Sequence, residues 1–185
     1  LAHYLARYDG GRYADILLNG DIHQVNADKI GITRKLVKNV TYAFLYGAGD
    51  EKIGLTYDKQ LSSSSAKRKG KEIRQAYIEA IEGLDSLLAG IKSASERGYV
   101  LSIDKRKILL DSPHKALNYL LQSGAGTIAK QWMLINHDTI NEVGICCSQL
   151  GFIHDELQFE CDPNQTMDLC ASLVFSATAA GEHYN

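Results

Sequence analysis

His154, Asp155 and Glu156 stand together in the stretch FIHDELQFEC, residues 152–161, flanked by apolar and β-favouring residues. Two adjacent carboxylates in a segment that reads as a strand or tight hairpin need a reason. A buried carboxylate without a partner is costly and tends to neutralise or to find a cation. The pair therefore either sits in a turn or faces something positive. A second group lies in TRKLVKNVTYAFLYG, residues 33–47. Arg34, Lys38, Tyr42 and Tyr46 recur every four residues, which at ~100° per residue draws one slowly drifting stripe on a helix. Arg34, Lys35 and Lys38 fall in its first turns. There the macrodipole already carries roughly +0.5 charge, and each cation is unfavourable by about a few tenths of a kcal/mol. Free N–H groups, the dipole and two or three cations would converge on one phosphate group. The two rings below them suit a sugar or a base. The plainer alternative is a solvated basic face with two half-buried tyrosines.

A third stripe, His114, Asn118 and Gln122, has the same four-residue spacing on a long helix. The remaining positions of that helix, Ala116, Leu117, Leu120, Leu121, Ala125, Ile128, Ala129 and Trp132, read as a core face. GAGDEKIG, beginning at Gly47, invites a nucleotide-loop reading. It lacks the G-x-x-x-x-G-K-[ST] order and follows a helix instead of a strand, so that reading is rejected.

These groups need elements to hold them. Residues 1–8 read as an amphipathic helix closed by DGG. Asp21 caps IHQVNADKI, which stops at Gly31, and Thr33 caps the helix ending at Gly47. A turn and a short helical piece follow, and SSSS at 62–65 reads as a flexible loop. Residues 66–96 read as two helices that break near Gly83. YVLSI and KILL are short strands around DKR. Pro113 precedes the helix at 114–143. ICCSQLGFI and ELQFEC form a hairpin over 145–161, and Pro163 opens a last helix. The class is α+β, helix-rich, with antiparallel strands towards the end.

RxxxKxxxYxxxYG, as Arg34, Lys38, Tyr42, Tyr46 and Gly47, resembles motif B of the family A DNA polymerases, the polymerase I class. HDE, as His154, Asp155 and Glu156, resembles that family's motif C. DIH at 21–23, FLYGAGDEKIG at 44–54 and SPHKALNYLLQS at 112–123 are similar to the phage replicative branch. The resemblance spans nearly the whole chain, in order. It implies helix-rich fingers and a partial palm: a palm helix at 1–11, fingers at 12–110 and palm at 111–185. It implies nucleotidyl transfer from a dNTP to a primer 3′-hydroxyl on primer-template DNA, with two Mg2+ ions in the intact enzyme.

By the same resemblance Asp155 is the metal ligand, Glu156 its acidic neighbour, and His154 lies near the primer end. Arg34, Lys38 and His23 face the triphosphate, with Lys38 also counted as catalytic. Tyr42 packs near the sugar, and Tyr46 and Gly47 flank the templating base. Asn118 and Gln122 probe the minor-groove edge, where every base pair offers acceptors, and His114 is a DNA contact on the same stripe. Arg106 matches a primer-contacting arginine, although Lys105 replaces the glycine that phage relatives more often show before it. A motif A aspartate is expected upstream of Leu1, so the 185-residue piece is not expected to polymerise alone. A processivity factor, where the intact protein uses one, would engage upstream regions. Two other readings stay open: a single-subunit phage RNA polymerase, and a non-catalytic DNA-binding relic.

Bulk properties set the frame. Hydrophobic residues make up 45% and charged residues 23%, a globular composition. The net charge of −2 does not announce a nucleic-acid binder, but local patches matter more than the sum. ITRKLVK and AKRKGKEIR are basic, whereas residues 136–185 hold no Lys or Arg and eight Asp and Glu. No apolar run approaches the ~18 residues of a membrane span, and no signal pattern opens the chain. Cys146, Cys147, Cys161 and Cys170 form no C-x-x-C pair. Free thiols in a reducing cytoplasm, that of the host if the protein is viral, are the expectation.

Overall fold

The computed structural model describes residues 1–154 and 156–184. Contacts divide the chain into two compact units. One comprises Leu1–Val100 with Lys107–Leu121, the other Leu101–Arg106 with Gln122–Asn185. The long helix α8, Ala116–Val143, runs through both.

The first unit is helical. Its elements are α1 (Ala2–Asp9), α2 (Arg12–Asn19), α3 (Ile22–Ile30), α4 (Arg34–Leu45), α5 (Asp50–Tyr57), α6 (Ser63–Ala80) and α7 (Leu84–Ser95). The expected caps form. The Asp21 carboxylate accepts from the N–H groups of His23 and Gln24, both at 3.1 Å, and the Thr33 hydroxyl accepts from Leu36 N–H at 3.3 Å. Such caps are each worth ~1 kcal/mol. On α6 the buried positions are Ala66, Gly70, Ile73 and Tyr77, a clean helical stripe. Ile73 and Tyr77 join Val40 and Phe44 of α4, Ile53 of α5 and Leu84, Leu87 and Ile91 of α7 in one core. Each large apolar side chain buried there contributes about 1.5–3 kcal/mol.

One expectation fails in this unit. SSSS is not a flexible loop. Ser62 caps α6, its hydroxyl accepting from Ser65 N–H at 3.4 Å, and Ser63–Ser65 form the first turn. Serine favours both a loop and a helix start, and the buried stripe beginning at Ala66 decides for the helix. Helix α2 is not among the expected elements; it spans only eight residues between Gly11 and Gly20.

Helices α5 and α6 touch backbone to backbone. A Cβ on Gly54 would fall 1.9 Å from the Ala66 carbonyl oxygen, and one on Gly70 1.7 Å from that of Asp50. Only glycine permits this crossing.

Two short strands, β1 (Tyr99–Leu101) and β2 (Lys107–Leu109), pair before a 3-10 turn at Pro113–Lys115 and then α8. In the second unit β3 (Cys147–Ile153) pairs antiparallel with β4 (Glu156–Cys161), in a register that opposes Cys147 to Cys161 and Ile153 to Glu156. An irregularity falls between Gln149 and Gly151. A 3-10 turn at Pro163–Gln165 leads into α9, Thr166–Glu182. The unit's fully buried apolar cluster is small: Ile140, Ile145 and Leu169. Polar ties supplement it. Trp132 Nε1 donates to the Leu173 carbonyl at 2.9 Å, and the buried Ser172 hydroxyl donates to Asn136 Oδ1 at 2.9 Å. Ala125, expected in the core face of α8, is exposed. Among the described residues no helix is long and apolar enough to cross a membrane.

Candidate functional site

The α4 face is built by two caps and one ion pair. Thr33 starts the helix, which aims Arg34, Lys35 and Lys38 outward while Val37 and Val40 anchor the opposite side in the core. Asp21 does more than cap α3. Its second carboxylate oxygen accepts from Arg34 Nε at 2.6 Å, so one side chain fixes both the start of α3 and the guanidinium on α4. That hydrogen bond to Arg34, with the one from Gln24 N–H, holds the Asp21 carboxyl below the usual carboxylate range. In the sequence Asp21 reads as a cap and as the first residue of DIH, not as a partner of Arg34. The D-x-H spacing was the available signal, but a contact across thirteen residues is invisible to periodicity.

His23 lies in the first turn of α3 and is half-buried. Burial pushes its imidazole pKa down, and the positive charges of Arg34 and Lys38 push it further; Asp21 opposes them. His23 therefore stands within electrostatic reach of both cations, and the three predicted phosphate-facing residues come together. Its Nδ1 is buried and finds no hydrogen-bond partner among the described residues. The neutral imidazole, two guanidinium or ammonium groups and the start of α4 form a cationic face with donor capacity to spare.

Further along α4, Tyr42 and Tyr46 are 50% and 63% exposed. Rings of that size held in water on one helix face are available for stacking. Gly47 follows with φ +73°, and a Cβ there would lie 2.7 Å from the carbonyl oxygen of His114. The glycine is required by the turn and by packing against residue 114, a reason that sequence reading did not supply. His114 itself is exposed in the 3-10 turn.

On α8, Asn118 is half-buried and Gln122, one turn on, is exposed. Arg106 closes the turn in which Lys105 adopts φ +65°, the left-handed backbone that glycine enters most easily. Lys105 thus keeps the turn and carries its strain. The Arg106 guanidinium is held by Asp104 and donates from Nη2 to Thr127 Oγ1 at 3.1 Å.

Asp155 lies outside the described residues. His154, after β3, is exposed with φ +58°. Glu156 opens β4, exposed, with Oε1 accepting from Gln158 Nε2 at 2.8 Å. It is a hard oxygen donor of the kind magnesium takes. Among the described residues no three His, Cys, Asp or Glu side chains converge as a metal set. The four cysteines are free thiols.

The family model described as DNA polymerase family A matches residues 12–180. The chain is 33% identical to a DNA-directed DNA polymerase of Enterobacteria phage T3 and 32% identical to one of Escherichia phage T7, in each case over 100% of this chain and 29% of the relative. DNA polymerase I of Mycobacterium tuberculosis is 30% identical over 73% of this chain and 16% of its own length. Among solved structures, the POL domain of Pol1 from M. smegmatis in complex with DNA primer-template and dNTP superposes with a TM-score of 0.79. That match has 22% identity over 97% of this chain and 34% of the other, a likeness of fold. The chain therefore spans less than a third of the length of these phage relatives.

Proposed function

The chain belongs to DNA polymerase family A, and on that footing we propose that the protein carrying it performs template-directed DNA synthesis, transferring a nucleotidyl group from a dNTP to a primer 3′-hydroxyl. The observation that carries the proposal is the joining of His23, Arg34 and Lys38 around the start of α4, with two exposed tyrosines continuing the same face. Family members depend on divalent metal ions in general, and the finer assignments are this proposal's own.

Arg34, Lys38 and His23 bind the triphosphate. Arg34 and Lys38 present charge where the pyrophosphate leaves, so their attraction grows as the bridging P–O bond breaks and negative charge gathers on the leaving oxygens. Asp21 holds Arg34 until the nucleotide arrives. Tyr42 packs on the sugar, and Tyr46 and Gly47 receive the templating base. Asn118 and Gln122 donate to minor-groove acceptors common to all base pairs, His114 and His154 contact DNA, and Arg106 holds the primer. Asp155 would hold magnesium, with Glu156 as its acidic neighbour. The chemistry magnesium supplies there is charge neutralisation and a more acidic primer hydroxyl. Residues 12–110 would correspond to the fingers, and 1–11 with 111–185 to part of the palm. The site of action would be the cytoplasm, that of the host for a phage protein. A processivity factor would act through other regions.

The test is primer extension by the full-length protein with dNTPs and, separately, with ribonucleoside triphosphates. Template-dependent extension with dNTPs alone is expected. Extension with ribonucleotides alone would shift the reading to an RNA polymerase, and none with either would overturn catalysis.

A further inference from the structure

Helix α9 departs from ordinary amphipathicity. Its buried side carries two serines, whose hydroxyls donate to Asn136 Oδ1 at 2.9 Å from Ser172 and 3.3 Å from Ser176. Leu169 and Ala180 complete that side. Its outer side shows Met167, Val174 and Phe175, which are 79%, 69% and 61% exposed. A helix on the surface of a soluble domain normally turns its large apolar residues inward. Thr178 adds to the outer apolar side, since its hydroxyl donates back to the Val174 carbonyl at 3.1 Å and is spent there.

The spacing of this outer face is specific. Met167, Ala171, Val174 and Thr178 follow at steps of four, three and four, and all four are exposed. That is the seam by which one helix packs along another. Asp168, Phe175 and Glu182 follow at steps of seven, so they form one row flanking the seam. Asp168 and Glu182 are exposed and have no ion pair among the described residues. No Lys or Arg occurs in residues 136–185 to answer them. On the other flank Cys170 and Ala177 are exposed and uncharged.

We propose that the outer face of α9 docks a helix of a separate protein, one with an apolar ridge and with Lys or Arg along one edge. Charge selects this occupant. In a helix pair the rows beside the seam choose the partner through opposite charges, and here the row offers only acids. A second copy of the chain would set these carboxylates against each other or against the uncharged flank, with no cation to meet them. Nucleic acid is repelled by the same acids. A segment of the same chain, permanently in place, would be matched by a more apolar face with fewer charges. Three large exposed side chains on a helix of 17 residues, about 25 Å long, make a small patch that a free protein tolerates. The partner therefore binds reversibly.

The experiment titrates the full-length protein against a fluorescent synthetic helix of 17 residues, the length of α9, with leucines at the seam spacing and lysines and arginines in the flanking row. Anisotropy should show saturable binding. Val174→Glu with Phe175→Glu should weaken it about tenfold or more. Asp168→Asn with Glu182→Gln should weaken it several-fold and abolish its decline between about 0.05 and about 0.5 M salt. Val174→Leu should retain it. All these variants should keep primer extension and the unaltered denaturation midpoint. The proposal falls if the peptide does not bind, or if both double variants bind it as the unaltered protein does. It falls equally if a peptide with Glu in place of Lys and Arg, or with Ser in place of Leu, binds as well. A lowered midpoint in Val174→Glu with Phe175→Glu would put a segment of the same chain on this face and overturn the proposal. So would a concentration-dependent dimer that this variant abolishes, which would make the occupant a second copy.

Discussion

The α4 face and the β3–β4 hairpin carry charged residues in opposite ways. The α4 face sits on a unit whose core buries fourteen apolar side chains from six helices and neighbouring segments. Its groups are tethered: the Arg34 guanidinium by Asp21, and the neighbouring neutral His23 of α3 by a capped first turn. The hairpin has β4 alternating strictly between exposed and half-buried, and β3 exposed along most of its length. Its backing cluster has three buried apolar residues. Glu156 is held by one neighbour two residues away. A phosphate-binding face needs several donors fixed before the ligand arrives, and a dense core supplies that.

This contrast predicts a division of labour in the full-length protein. Asp155→Asn should lower primer extension by about 10³-fold or more, several kcal/mol in barrier, while leaving dNTP affinity within about threefold. A comparable loss of dNTP binding would erase the division. Breaking the frame should act on the other side. Gly70→Ala forces a Cβ onto the Asp50 carbonyl and should destabilise the first unit by about 1–3 kcal/mol. Chemical denaturation measures it, and an unchanged midpoint would show that α5 and α6 are not locked as described.

The pH response of dNTP binding sharpens the comparison further. His23 titrates below its ordinary value near 6.5 because burial and the nearby cations oppose its charge. In the free protein its protonation costs stability, a loss that sets in as pH falls below the unfolded value. An incoming triphosphate reverses the local charge and favours the proton. Affinity should therefore rise as pH falls from about 7.5 to about 6, and His23→Gln should flatten that rise. Titration calorimetry in two buffers would register the proton uptake. On the proposed packing of Tyr42 against the dNTP sugar, its hydroxyl would take the place of a dideoxynucleotide's missing 3′-hydroxyl, and Tyr42→Phe removes it. This substitution should raise discrimination against dideoxynucleotides about tenfold, and equal discrimination would refute that role. The smallest effect belongs to the hairpin. Glu156→Gln should cost a few-fold in extension rate, since the side chain is exposed and lightly held.

Much of this was legible in the sequence where the physics is local. Asp21, Thr33 and the four-residue stripe of Arg34, Lys38, Tyr42 and Tyr46 specify a capped helix with one chemical face, and α4 is that helix. The substitution of Lys105 for a turn glycine reads in the sequence as an altered turn, whereas Lys105 adopts the left-handed backbone, φ +65°, that a glycine would enter most easily. What escaped depends on contacts between elements. The Asp21–Arg34 bond joins two helices, and the Gly54–Gly70 crossing shows in sequence only as two glycines inside helices, which read as weak points. Ser62–Ser65 has loop composition but helical context, which Ala66, Gly70, Ile73 and Tyr77 decide from further along. The α2 helix has only eight residues between glycines, a short window in which to read a period.

The most direct measurement is the dissociation constant for dNTP in the full-length protein bearing Arg34→Ala and Lys38→Ala, set beside its affinity for primer-template. The account predicts dNTP binding weakened by about 10²-fold or more, from the loss of two charge-assisted contacts, with primer-template affinity nearly unchanged. An unchanged dNTP constant, or an equal loss for both ligands, would contradict the assignment of the α4 face to the triphosphate.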